Sequence, residues 1–318
     1  MASSTPSATV AVITYRRPAG LARLLDAFRK LHQPSALWSV SFLVVDNDPE
    51  GSARDTLKAY AGIFEAGDLV YTHEPNPGIP AARNHALDHA KTSGADVLCF
   101  IDDDEIPAPD WLSHLLNGQQ KDGCHLGGGP TRVFPVAEGT SGCQRFVLAS
   151  MVAGQLRGES KIAAAHKAGR RLRTLGTGNW ICDVKWASTH QISFDEKLRY
   201  TGGSDTAFLD TAISLGAKVG WFPDAICYEH YPLERISLRA AFRRGYSHAL
   251  AGHQFRKVRA TPRALATAFA LIAFGFILLV VPLRGIASLA TGAQRAGTGV
   301  GTLAGFMGRR SSLYVRTP

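Results

Sequence analysis

Residues 97–109 read VLCFIDDDEIPAP: a short apolar run, Val97-Leu98-Cys99-Phe100-Ile101, that breaks off into four consecutive acids, Asp102, Asp103, Asp104 and Glu105. The apolar part reads as a strand buried on both faces. The junction is electrostatically costly. Unit charges about 4 Å apart repel by roughly 1 kcal/mol in water and by more near a dry strand end, so the carboxylates need a counter-charge. A divalent cation is the simplest one, and an all-oxygen donor set suits Mg²⁺ or Mn²⁺. Crevices beyond the carboxyl ends of strands are where open α/β sheets bind ligands. The plain alternative is a solvated acidic turn leading into a helix capped by Asp110.

The flanking sequence favours the sheet. Residues 8–14 form an apolar, β-branched run, and 18–31 carry helical spacing at Leu21, Leu24, Leu25 and Phe28. A second strand at 40–45 ends in Asp46-Asn47-Asp48-Pro49, and a third is expected at 69–72. Asn76-Pro77-Gly78-Ile79-Pro80 then opens a helix over 81–91. Arg83 falls in its first turn, where a positive charge opposes the helix dipole and calls for some reason other than helix stability. This alternation predicts a βαβ sheet with polar residues at the strand ends. Beyond the acids, 111–116 is expected to be helical and the Gly-rich 126–136 a strand, while the basic stretch 154–173 reads as a mobile loop or a solvated surface. Thr201-Gly202-Gly203-Ser204-Asp205-Thr206 opens a helix over 207–215 and leaves Asp205 near its N-terminus.

The chain has 318 residues, 45% of them hydrophobic, and a formal charge of +9. From residue 233 onward thirteen Lys and Arg face one acid, Glu234, a net of +12, which leaves about −3 for the first 232 residues. That distribution points to a membrane surface at the C-terminal end and away from nucleic acid. Five cysteines without a CxxC pair suggest reduced thiols of a cytosolic domain, and the first residues lack the pattern of a signal peptide.

Eight pieces in order, VAVITYRRP, VVDND, NPGIPAARN, FIDDDEIPAPDW, TGNW, FDEKL, TGGSDTAFL and WFPDAICYEH, resemble family 2 glycosyltransferases of the GT-A fold, and the closest flavour is the bacterial exopolysaccharide type similar to succinoglycan glucosyltransferases. The resemblance implies a Rossmann-like mixed sheet flanked by helices, and an inverting, metal-dependent hexosyltransferase. By resemblance, Thr14, Tyr15, Asp46 and Arg83 hold the nucleoside, with Asp102 and Asp103 on the ribose side. Asp104, Asp102 and His230 attend the divalent cation and the diphosphate. Asp205 is the catalytic base, and Asn179, Trp180 and Ser204 lie toward the acceptor. The family commonly reads Gly-Glu-Asp-x-Asp around that base; here Ser204 and Ala207 replace its acidic neighbours, which leaves Asp205 a weaker base or the acceptor contacts different. The Gln-x-x-Arg-Trp element of processive synthases is absent after His230, so one sugar per acceptor is expected. A catalytically silent scaffold subunit is the alternative that the two replacements allow, and a two-carboxylate hydrolase leaves the acid cluster unexplained.

The expected organisation is a catalytic domain over 1–232, basic interfacial helices over 233–263 and a membrane-embedded helix or hairpin over 264–318. Residues 264–283 are twenty uncharged residues, long enough as a helix to match a hydrocarbon core of about 30 Å. In 286–307, Gly297, Gly301 and Gly305 recur every four residues and give a smooth packing face, with Arg295 the one charge. These features place the chain on the cytoplasmic face of the inner membrane. They suggest a lipid-linked glycan acceptor, while the resemblance implies a nucleotide-sugar donor, UDP-linked by preference, and polysaccharide or cell-envelope assembly as the setting.

Overall fold

The computed structural model describes residues 5–32, 38–65, 67–134, 140–172, 175–176, 178–256, 259–281 and 288–309. In chain order the elements are β1 (Ser7–Thr14), α1 (Pro18–Phe28), β2 (Ser39–Asp46), α2 (Arg54–Ala59), β3 (Leu69–His73), α3 (Ile79–Thr92), β4 (Val97–Asp102), β5 (Glu105–Pro107), α4 (Trp111–Asp122), β6 (Leu126–Gly128) and β7 (Thr131–Val133). Then come α5 (Gly142–Lys167), β8 (Asn179–Asp183), α6 (Val184–Thr189), α7 (Ser204–Ser214), β9 (Val219–Trp221), β10 (Cys227–Glu229), α8 (Leu238–Arg256), α9 (Pro262–Val280) and α10 (Leu289–Phe306).

Two compact units divide the chain: Met1–Arg132 with Ile162–Arg199 and Ser204–His230, and Val133–Lys161 with Tyr200–Gly203 and Tyr231–Pro318. Val133–Lys161 groups with the C-terminal helices, and the later division falls at His230, beside the boundary expected at residue 232. The stretch expected as a mobile or solvated segment over 154–173 is helical through Lys167. Its apolar residues lie without a dominant face, which is why periodicity did not reveal it. Thr177, Arg310 and Arg316, each named above through its motif or its charge, lie outside the described residues.

In the first unit seven strands form a mixed sheet ordered β3-β2-β1-β4-β8-β6-β9. β1 pairs in parallel with β2 and β4, while β8 runs antiparallel to β4 and β6. Both faces of the sheet are covered. Ala11, Leu98 and Phe100 join one core with Ala86, Phe194 and Phe208, and Val10, Val12, Cys99 and Ile101 join the other with Leu24, Trp111 and Leu115. Burial on two sides explains strands that are apolar throughout rather than alternating. The expected strand over 126–136 is two short strands: β6 stays in the sheet and β7 joins a small second sheet, ordered β5-β10-β7. Strand order reverses between β1 and β4, the switch point at which such sheets open a crevice.

In the second unit α8, α9 and α10 pack through small residues. A Cβ at Gly297 would strike the Phe242 carbonyl, one at Gly301 the Tyr246 carbonyl, and one at Gly305 the His253 ring. The glycine face expected on α10 therefore exists, and α8 is its partner. On the other side Gly275 of α9 approaches Gly292 and Ala296. Pro262 and a side-chain cap from Thr261, accepting from the Ala264 N–H at 3.2 Å, start α9.

Candidate active site

Register brings three strand ends level: Thr14 of β1 lies beside Asp46 of β2, and Ile13 beside Asp102 of β4. The acids thus emerge at the switch point. Thr14 is 2% exposed and donates its hydroxyl to Asp103 Oδ2 at 2.8 Å. Arg17, just before α1, donates through Nη1 to Asp103 Oδ1 at 2.9 Å and to Asp104 Oδ2 at 2.7 Å. Within the protein this guanidinium is the counter-charge of Asp103 and Asp104, and the sequence had no signal for it. The close approach of α1 requires Gly20, since a Cβ there would lie 2.7 Å from the Asp103 carbonyl oxygen.

Asp102 faces the other way. Arg83 Nη2 lies 3.8 Å from Asp102 Oδ1, and the Arg83 guanidinium sits 5.6 Å from the centre of the Phe194 ring. Arg83 is 6% exposed, so its position in α3 is explained by a buried role beside Asp102 and not by helix energetics. Desolvation, followed by the Asp104, Asp103 and Asp205 carboxylates and opposed by Arg83, pushes the Asp102 carboxyl up to about 7. Its side chain is nevertheless 47% exposed, so water in the crevice screens part of that field. Burial likewise raises Asp103, although Arg17 and Thr14 pull it down. Asp205, in the first turn of α7, contributes to the field at Asp102 and so belongs to the same cluster.

Glu105 forms the floor. It is 5% exposed, its Oε2 has no hydrogen-bond partner, and burial together with Asp102, Glu229 and Asp104 raises its carboxyl well above the usual range. Antiparallel pairing of β10 with β5 sets Glu229 opposite Glu105 and puts His230 next along, where its N–H donates to the Asp104 carbonyl at 2.9 Å. His230 is thereby carried to the acid cluster, with its side chain exposed. A side chain at Gly178 would run into the Glu105 and Asp102 carboxylates, so glycine keeps the space beside them open.

The other residues singled out by the resemblance sit as follows. Asp46 is 0% exposed and spends its oxygens on its own loop, accepting from Asp48 N–H at 3.0 Å, Ala53 N–H at 2.7 Å and the Tyr71 hydroxyl at 3.3 Å. Those bonds fix the loop after β2. Thr14 is also inside, positioning Asp103. Tyr15 remains partly exposed, with the Arg16 guanidinium 5.4 Å from its ring centre and Arg16 held at φ +52° beside Asp48. Asn179, expected toward the acceptor, is 2% exposed; its amide accepts from Trp111 Nε1 at 2.7 Å and donates to the Pro130 and Ala225 carbonyls at 3.0 and 2.7 Å. Trp180, 3% exposed, stacks on Phe100 at 5.4 Å within the core. Ser204 is 4% exposed and Ala207 8%. All four are buried, Asn179 and Trp180 in a central strand and Ser204 and Ala207 in α7.

The donor set fits a hard divalent cation. Clustered carboxylate oxygens, a carboxyl raised by burial and then by its like-charged neighbours, and an unpartnered buried Glu105 oxygen are what such an ion would relieve. Among the described residues no three His, Cys, Asp or Glu side chains form a ready-made cage. Hard divalent ions such as Mg²⁺ commonly bind through one or two carboxylates together with substrate phosphates.

The family model for glycosyl transferase family 2 matches residues 9–170. The succinoglycan biosynthesis protein ExoM of Rhizobium meliloti (strain 1021) is 31% identical over 254 residues, 78% of this chain and 76% of that protein. Among solved structures, the mannosyltransferase PcManGT of Pyrobaculum calidifontis with GDP-Man and Mn²⁺ superposes with a TM-score of 0.60 at 17% identity, covering 95% of this chain and 88% of the other. TarS of S. aureus in complex with UDP gives 0.53 at 14% identity, covering 95% and 92%.

Proposed function

The chain belongs to glycosyl transferase family 2, and we propose that it moves one hexose from a nucleotide-diphosphate donor, UDP-linked by preference, to a lipid-linked glycan acceptor with inversion. The observation that carries this reading is the acid cluster at the end of β4 sharing one field with Asp205. A separate carboxylate for the ion and another for the base are the least that displacement of a nucleoside diphosphate needs. The likeness to ExoM supports exopolysaccharide assembly as the setting, and the apolar α9 supports work at a membrane; the face proposed is the cytoplasmic one.

Asp104 and Asp102 would hold a divalent cation, with His230 beside them, and that ion would supply charge neutralisation to the leaving diphosphate. Arg83 and Thr14 fix Asp102 and Asp103 in place, so the carboxylates do not have to reorganise when a donor enters. Tyr15, partly exposed at the crevice edge, offers a ring for the base. Asp205 takes the proton of the acceptor hydroxyl as its oxygen attacks from the side opposite the leaving group, which inverts the configuration. Arg17, which pairs with Asp104 at 2.7 Å, would have to release it for that carboxylate to hold the ion.

Calorimetric titration with UDP, GDP and dTDP, each with and without Mn²⁺, tests the reading on wild type and Asp104→Ala. The expected result is Mn²⁺-dependent binding of UDP, lost in the variant, with Asp205→Asn binding UDP normally while turnover falls by about 10² to 10⁴. A folded wild-type protein that binds none of the three would overturn it in favour of the scaffold.

A further inference from the structure

The second unit contains a cavity of about 360 Å³ with a cationic wall. Arg157 and Lys161 of α5, Arg235, Arg244 of α8 and Arg295 of α10 line it, and no carboxylate is among the lining residues. Like charges gathered this closely repel, and neutral neighbours only steady them. Arg157 donates to Thr291 Oγ1 at 3.3 Å, Arg244 lies 4.8 Å from the Tyr231 ring centre and Arg295 lies 4.9 Å from that of Phe274. Among the described residues none of the five is in a salt bridge. Aromatic faces and a hydroxyl hold guanidinium groups in place while leaving their charge unspent, which is preorganisation for an anion.

The same unit carries the most apolar surface of the described chain. α9 has a mean hydropathy of 2.2, and Phe269, Phe276 and Val280 are 60%, 59% and 77% exposed. Arg295 joins the two features: it lines the cavity, and the ring it covers belongs to α9. We propose that this cavity seats the phosphate or diphosphate head of a lipid, the phosphate oxygens lying among the five cations and the hydrocarbon chain following α9. Identifying that lipid as the glycan acceptor rests on the transferase reading above; the anion site rests on the cavity alone. A concave cation cluster beside an apolar helix suits one headgroup on a hydrocarbon tail, whereas a polynucleotide would need an extended polar track.

The test is binding of undecaprenyl diphosphate in detergent micelles to the full-length protein, compared with undecaprenol, inorganic pyrophosphate, and vesicles of phosphatidylcholine with phosphatidylglycerol. The expected result is binding of the lipid diphosphate, none of the alcohol, and weakening by about tenfold or more in Arg157→Gln/Lys161→Gln. Gln294→Glu, a nearly isosteric change at the cavity wall, should weaken it too, and it guards against misfolding of the double variant. Arg239→Gln/Arg243→Gln removes equal charge outside the cavity and should keep the binding. Undiminished binding in the cavity variants, pyrophosphate binding as tight as the lipid's, or equal losses on the phosphatidylglycerol vesicles would each overturn the proposal. UDP binding, followed in parallel, separates the two readings: loss of lipid binding with UDP binding intact removes only this site, and the converse removes only the transferase reading.

Discussion

At the scale of the residue, the crevice carries its own substitute for a metal. Arg17 bridges Asp103 and Asp104, so an incoming cation has to displace a guanidinium at 2.7 Å from the carboxylate it needs. Arg17→Met removes that competitor. The expected outcome is a lower melting temperature without metal and a larger rise on adding Mn²⁺ than in wild type; an equal rise would show that Arg17 is not the competing charge. Asp102 sets a pH dependence of definite sign. Its carboxyl is raised to about 7 when folded, so between its ordinary value and 7 the folded state holds the proton more tightly, and stability falls as pH rises through that window. A cation needs the ionised form, so Mn²⁺-dependent UDP binding should strengthen from pH 6 to 8, by at most about tenfold per unit below 7. Asp102→Asn should flatten that profile, which calorimetry at each pH reads directly. The acid run was legible as a cluster in need of a counter-charge, because four adjacent acids follow a buried strand. Arg17 stayed hidden, since its pairing with Asp103 spans 86 positions and no local pattern encodes it.

At the scale of the element, glycine separates what sequence spacing can say from what it cannot. Gly297 and Gly252 both lie within helices, but a Cβ at Gly297 would strike the Phe242 carbonyl while Gly252 has nothing within 4 Å. Gly297→Ala should therefore destabilise the full-length protein in detergent by about 1–3 kcal/mol. Gly252→Ala should be neutral or stabilise it by roughly 0.5–1 kcal/mol, and thermal melts of the two side by side check both. The four-residue spacing on α10 made its packing face legible beforehand, and its partner α8 was not. The parallel strands were legible for a similar reason: burial on two faces writes an uninterrupted apolar run. β8 shows the opposite case. Asn179 and Trp180 entered as site residues through the TGNW piece of the family resemblance. Yet the run Trp180-Ile181-Cys182 is that of a central strand, and the Asn179 amide ties Trp111, Pro130 and Ala225 together inside it. α5 left the weakest trace, its apolar residues scattered round the helix.

At the scale of the molecule, the packing of the second unit decides how α9 can meet a membrane. By length and composition α9 could cross one. It does not stand alone, however: α10 packs against α9 through Gly292 and Gly299, and against α8 through Gly297 and Gly301. A hairpin that spans would draw α8 in with it, carrying Arg239, Arg243 and Arg244, besides Arg295 of α10 itself. Each such charge costs about 2.5–3.5 kcal/mol at the bilayer centre even on the most lenient scale. An α9 lying along the interface, its phenylalanines in the hydrocarbon and α8 and α10 on the polar side, avoids that cost and keeps the cationic cavity at headgroup level. Cysteine labelling from each side of sealed vesicles distinguishes the two arrangements. Cys99, Cys124, Cys182 and Cys227 are buried, so a Cys143→Ser background is quiet enough for single probes. Arg259→Cys and Val281→Cys, at the two ends of α9, should both react from the cytoplasmic side and neither from outside. Labelling of position 281 only from outside would mean that the helix crosses, that α10 follows it, and that the arginines of α8 find their neutralising partners within the membrane.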